Sequence, residues 1–381
     1  MKRHISNSRG CLALVLSILW LCIPVAGRAS TRVVAWGAGT NNSLYTPNYG
    51  QCIVPVDLTN AIAIAAGYVH SVALTADGKV ITWYSIDTNM PTTTNAVAVA
   101  SGHSAQHTLA LQANGTVAVG GNTCCGLSVM PANSNVVAVT RGWEFSLALR
   151  TDGTVICWGT NTFLGPWSNV VAVSAGDWGG LVLKADGTVS KWNSWTFPAE
   201  VPVPADLTNV VAIAAGGYFQ DMALKTDGTV FAWYGTSGTN VPGLSNVVAI
   251  AAGEYHNVAL KADGTVVAWL ISTSDDYGQA TVPAGLSNVV AIAAGGYHTL
   301  ALVGEGPPVL RAPMANPTVG TGGFSVSLPS QSGRVYGLEF KNLPTDGAWT
   351  ALPLAAGNCG WLRLTDPTAP QAERFYRVRR W

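Results

Sequence analysis

Residues 253–270 read GEYHNVALKADGTVVAWL, and their pattern decides the fold. HNVALK alternates as a half-buried strand does, and Asp263-Gly264 is a hairpin signal. Such dipeptides accept the positive φ angles of a type I′ turn, so that turn is expected here. TVVAWL then alternates again, with Val267 and Trp269 on one face and Val266 and Ala268 on the other. Just upstream, NVVAIAAG places small residues where an inner strand would crowd a central axis.

Working outward, the unit recurs. The glycine that ends the AIAAG run falls at Gly67, Gly102, Gly142, Gly176, Gly216, Gly253 and Gly295, so there are seven units. Their period of about 40 residues matches a propeller blade and exceeds a leucine-rich repeat. Six hairpin signals follow these glycines, at Asp77-Gly78, Asn114-Gly115, Asp152-Gly153, Asp186-Gly187, Asp227-Gly228 and Asp263-Gly264. Third strands carry Trp36, Trp83, Trp158, Trp192, Trp233 and Trp269, with Gly120 as the exception. A proline precedes each new unit (Pro55, Pro91, Pro131, Pro166, Pro204, Pro242, Pro283), which marks a place for a fourth, outer strand because sheet edges tolerate proline. The seventh unit breaks off at Leu302 without its third strand. Residues 30–38, STRVVAWGA, carry that strand, with Val34 and Trp36 in place. A ring closed by the N-terminal strand leaves no unpaired blade edge.

The repeat strands, AAGGYHTLAL, and the NYGQ and DYGQ loops (Asn48 to Gln51, Asp276 to Gln279) resemble the regulator of chromosome condensation repeat. That resemblance covers about residues 30–304. It implies an all-β, seven-bladed β-propeller and a face that binds protein, as in the family's exchange factor, photoreceptor and secreted inhibitors. Residues 30–305 are assigned to the propeller, 306–318 to a linker, and 319–381 to a small C-terminal β-sandwich, from five short alternating runs.

Residues 1–29 combine a basic start, an apolar run and small residues before Ala29, so they read as a cleaved signal peptide and the chain as secreted or held at a cell surface. The region from 30 to 306 is acidic, which disfavours nucleic acid as a partner. No stretch of the mature chain reads as a membrane span. Cys52, Cys124, Cys125, Cys157 and Cys359 are an odd, scattered set with no metal spacing, and their pairing stays open.

No catalytic, cofactor or metal motif stands out. Equivalent positions His70, His107, His256 and His298 would be spread around a ring rather than converge on an ion, so they read as structural hydrogen-bonding residues; Phe145 and Gly179 fill the same position elsewhere. The acidic turn residues read as turn formers, and SDDYG lacks the spaced oxygens of a calcium loop. One constellation points to binding. Aromatics follow six of the seven repeat glycines: Tyr68, Trp143, Trp178, Tyr218, Tyr255 and Tyr297. Glu144, Asp177, Asp221 and Glu254 sit beside them. Tyrosine and tryptophan with a charged rim make protein-binding hot spots, although packing between blades would also explain them. The expected function is non-enzymatic binding of a protein or glycan through this face. Alternatives are a glycan-acting enzyme or lectin-like propeller, a surface-structural protein, and a nucleotide-exchange regulator by family analogy.

Overall fold

The computed structural model describes residues 31–40, 42–45, 47–84, 93–102, 107–121, 130, 134–160, 167–193, 200–217, 220–304, 314–320, 323–331, 334–343, 345–346, 349–357, 361–368 and 374–380. Residues 1–29, read above as a signal peptide, and Tyr218, Cys124, Cys125, Cys359, Pro91, Pro131 and Pro166 lie outside the described residues, as does most of the assigned linker.

Seven antiparallel sheets of the repeat follow in chain order. Blade 6 shows the pattern. Val247–Ala252 is the inner strand, His256–Lys261 pairs with it, and Val266–Leu270 lies outside. Each inner strand shifts register after its first residue. The seven inner strands line a central channel of about 330 Å³, where small alanines and serines alternate with larger side chains such as Ile64, Ile213, Ile250 and Ile292. In blade 7, Val289–Ala294 and His298–Val303 are completed by Arg32–Gly37, with Val33 opposite Leu302 and Trp36 opposite Thr299. The two ends of the repeat array therefore share one blade. A fourth strand is present among the described residues only in blades 4 and 5, at Glu200–Val201 and Ser237–Asn240.

The hairpin turns differ from the type I′ expectation. Only the glycines hold positive φ, from 77° at Gly115 to 87° at Gly187. In the first turn, Gly78 N–H donates to Thr75 O at 2.9 Å, and Thr75 N–H donates to Lys79 O at 2.9 Å. The reason is loop length: three residues, Ala76, Asp77 and Gly78, separate the bonded Thr75 and Lys79, and a hairpin loop of three takes a type I turn followed by a left-handed glycine. Asp152 Oδ1 accepts both the N–H of Thr154 at 2.9 Å and its hydroxyl at 2.6 Å, and the same pair recurs at Asp186, Asp227 and Asp263. Where a threonine follows, this local ring reinforces the ordinary turn conformation of the acidic residue. Those bonds also hold the carboxyls of Asp152, Asp186, Asp227 and Asp263 below their usual pKa.

The repeated tryptophans fill the blades. Trp36, Trp83, Trp158, Trp192 and Trp233 are buried, and Trp269 is half-buried. Two of them are held through the YGQ loops. Gln51 and Gln279 are fully buried; each donates back to its own loop, at Pro47 O and Asp275 O, 2.6 Å in both cases. Their backbone carbonyls accept the indole N–H of Trp83 at 3.0 Å and of Trp36 at 2.9 Å. The resemblance in sequence thus marks a structural bracket between loop and blade.

The C-terminal part forms two sheets, Ala315–Gly320 with Gly323–Pro329 and Trp361–Asp366, and Val335–Lys341 with Phe375–Arg380 and two short strands. Val326, Leu328, Tyr336, Leu338 and Leu364 make the core between them. The first strand starts at Ala315, inside the stretch assigned to the linker. This module rests on the turn end of blades 3 and 4: Leu354 N–H donates to Thr151 O at 2.8 Å, and Arg379 donates to Ala185 O at 2.6 Å. Val335 joins the core of those blades. The repeat glycines and their aromatics lie at the opposite end of the blades, which leaves that end clear of the module.

Candidate functional site

The glycine end of the ring is built from joints between neighbouring blades. Each second strand opens with two residues, and the first reaches toward the second of the next blade. His70 shares a hydrogen bond with Thr108 Oγ1 at 3.2 Å, His107 with Ser146 Oγ at 3.1 Å, and His256 with Thr299 Oγ1 at 2.8 Å. His298 of the last blade reaches Ser71 Oγ of the first at 2.9 Å, which closes the belt. Between blades 5 and 6 the same joint is Asn257 donating to Gln220 at 3.1 Å.

All four histidines are buried, and each faces a hydroxyl instead of another histidine. Burial first, then the charge of Arg141, pushes His70 down to about 3 and His107 to about 2; burial pushes His298 to about 3. They stay neutral. Among the described residues no group of three or more His, Cys, Asp or Glu is placed to hold a metal ion.

Two joints depart from the pattern. Between blades 3 and 4, Phe145 takes the histidine position and meets Trp192 edge-on with ring centres 6.2 Å apart. Gly180 stands where the hydroxyl would be, and a Cβ there would run into the Trp192 ring. Between blades 4 and 5, Gly179 takes the histidine position and Asp221 the hydroxyl position. Lys191 in the third strand supplies the missing link, with Nζ donating to Asp221 Oδ2 at 2.6 Å. Both side chains are buried. Loss of hydration raises Asp221 to about 6 despite the opposing charge and hydrogen bond of Lys191, so desolvation outweighs the pair's attraction here. The repeat alignment carried a signal for this pair. Lys191 replaces the Thr82, Cys157, Ala232 or Ala268 of other third strands, and Asp221 stands beside it in the next unit.

The aromatics divide into two groups. Tyr68, Tyr255 and Tyr297 come from blades 1, 6 and 7 and pack on one another. Tyr255 stacks on Tyr297 at 5.0 Å and Tyr68 meets it at 5.3 Å; the hydroxyls of Tyr68 and Tyr297 lie 3.0 Å apart, and Tyr297 donates to Tyr255 at 3.3 Å. Tyr255 and Tyr297 are each only 7% exposed, so this group ties the closing blades together. Trp143 and Trp178, from blades 3 and 4, form an edge-to-face pair at 4.3 Å, and Trp143 is 42% exposed. Glu144 and Asp177 stand next to this pair and are half-buried; Glu254 lies across the ring in blade 6, against Gly217. Tyr218 lies outside the described residues. The tyrosines and the tryptophans thus share one end of the ring but do not form one continuous girdle.

Residues 61–83, 136–163 and 247–269 match the Regulator of chromosome condensation (RCC1) repeat. No curated protein sequence matches the chain. Among solved structures, the chain is similar to human WBSCR16, at 19% identity and a TM-score of 0.56, over 72% of this chain and 99% of that one. It is also similar to Prp20p from Saccharomyces cerevisiae, described with its binding properties to Gsp1p and histones, at 16% identity and a TM-score of 0.56, over 74% and 93%. Yeast RCC1 (Prp20) in its complex with Kap60 aligns at 15% identity and 0.55, over 72% and 89%. In three separate blades the chain thus matches the regulator of chromosome condensation repeat, and its fold is similar to that of the propellers built from such repeats.

Proposed function

We propose that the chain is a non-enzymatic, exported interaction protein that binds a protein partner at the glycine end of its propeller, centred on Trp143 and Trp178. The observation that carries this is the edge-to-face tryptophan pair, with Trp143 exposed and Trp178 half-buried, flanked by Glu144 and Asp177 on the end opposite the C-terminal module. A large ring left in water at the rim of a rigid scaffold is the kind of anchor that dominates protein interfaces. The acidic neighbours favour a basic patch on the partner. Prp20p, a propeller of the same architecture, is described as binding proteins, which supports the class of function and not a specific partner. Export rests on the reading of residues 1–29.

The test pairs capture with stability. Trp143→Ala and a Glu144→Gln/Asp177→Asn double variant are used as bait against native culture medium, and their melting temperatures are measured alongside. Capture of a protein lost in both variants, with melting unchanged and binding weakened by salt, is the expected result. Capture that falls only where melting falls would reduce the tryptophan pair to packing. Release of the captured material by free sugars would favour the lectin-like alternative.

A further inference from the structure

The two ends of the molecule differ in charge. Residues 30–305 hold 8 basic and 16 acidic side chains, and residues 314–381 hold 7 basic and 4 acidic, so a formally negative propeller carries a formally positive module. Within the propeller the charges are also sorted along the axis. Arg150, Lys184, Lys225 and Lys261 close second strands, Lys79 lies in the first hairpin turn, and Arg32 stands opposite Val303, so these six belong to the turn end. The other two basic residues, Arg141 and Lys191, are buried. Glu144, Asp177 and Glu254 lie at the glycine end, as does Asp276 beside Tyr277, whose ring meets Tyr297 at 5.3 Å. Among the described residues that end therefore presents carboxylates and no exposed lysine or arginine.

A surface of the matching chemistry stands at the other end of the same chain. The module rests on the turn end of blades 3 and 4, and Trp143 and Trp178 stand at the glycine end of those same two blades. The sheet of Val335–Lys341 touches the propeller, and the sheet that holds Trp361–Asp366 lies across the module's core from it. Along Trp361–Asp366, Leu362 and Leu364 turn into that core, while Trp361, Arg363 and Thr365 alternate outward and are exposed. Trp361 is 63% exposed. Arg363 donates from Nε and Nη2 to Ser325 Oγ at 3.0 and 2.7 Å, and no carboxylate stands among its described partners. A tryptophan in water beside an unneutralised arginine has the composition of an interface anchor, and its charge is opposite to that of the Trp143 rim.

We propose that the occupant of the glycine end is a second copy of this chain, whose Trp361 and Arg363 meet Trp143, Trp178, Glu144 and Asp177. This rests on the reading of the glycine end as the binding face and names its partner. Two acidic glycine ends repel each other, which disfavours a two-fold dimer through that end. The contact joins two different surfaces, so each bound copy keeps one of each free. It therefore repeats head to tail, as an open filament or as a ring where the rotation between copies closes.

Sedimentation velocity of the purified chain tests this at low salt, at up to about 0.5 mM so that a weak contact is populated. Species larger than a dimer should appear as concentration rises. Raising the salt from about 0.05 M to about 0.5 M should weaken association roughly tenfold or more. Two variants separate the ends. Trp361→Ser/Arg363→Ser spoils the module face, and Glu144→Lys/Asp177→Lys reverses the charge of the glycine end; melting temperatures report that both fold. Each alone should stay monomeric. Mixed, the intact glycine end of the first and the intact module of the second should pair one to one and grow no further. The proposal is overturned by a wild-type chain that stays monomeric, by a folded Trp361→Ser/Arg363→Ser variant that still assembles, or by two folded variants that fail to pair. A monomeric wild-type chain that captures a different protein through Trp143 would remove this inference alone. A chain that neither assembles nor captures would remove the binding face as well.

Discussion

Replacing His298 by glutamine and following stability against pH tests the belt that closes the ring. His298 is buried and neutral, with a pKa pushed down to about 3, whereas an unfolded histidine titrates near about 6.5. A depressed pKa of this kind contributes stability that is fully present above the unfolded value and is lost as pH falls toward the folded one. At about pH 5 the unfolded chain has gained a proton at this ring and the folded chain has not. The difference is about 2 kcal/mol, a large part of the roughly 5–15 kcal/mol that holds a domain together. His70 and His107 act in the same direction. Asp221 opposes them: its pKa is raised to about 6, so the folded chain binds a proton that the unfolded chain lacks between about pH 6 and 4. These four groups leave a net difference of about two protons near pH 5, or roughly 2.7 kcal/mol of stability lost per pH unit. Glutamine keeps a side-chain partner for Ser71 but does not titrate. Urea unfolding of wild type and His298→Gln at about pH 7.5 and about pH 5 is the assay. The variant should lose about 2 kcal/mol less than wild type over that interval. Equal losses would show that His298 is charged or solvated in the folded ring and would refute the neutral belt.

Two other outcomes test the architecture. Deleting residues 30–38 removes the strand Arg32–Gly37 and leaves His298–Val303 with an open edge, so the protein should melt well below the intact chain or aggregate; an equal melting temperature would detach that strand from closure. Trp233→Ala empties a site only 1% exposed and should cost about 3–5 kcal/mol in urea unfolding; a loss under about 0.5 kcal/mol would misplace the tryptophan register.

The blade register was legible because it is written locally. Alternation puts Trp233 and Trp269 on a defined face, and a glycine after an aspartate, or after Asn114 in the second unit, marks each turn. The separation of strand STRVVAW from its blade was legible too, because a repeat with a missing part advertises where the part must be. The turn type was not, since it depends on how many residues the pairing leaves in the loop: three between Thr75 and Lys79, which calls for a type I turn and a left-handed glycine and not for the two-residue type I′ turn.

The sequence by itself determined the repeat, its seven units, the shared seventh blade and the positions from which histidines and aromatics start. Only the tertiary structure decided what those side chains meet. Tyr68, Tyr255 and Tyr297 read the same as Trp143 and Trp178 along the chain, yet the first three pack together across two joints and Trp143 stays in water. Lys191 pairs with Asp221 thirty residues away because adjacent blades face each other. Periodicity assigns a residue to a face of its own strand; the contact it makes depends on the neighbouring blade, and that distance is fixed only when the ring closes.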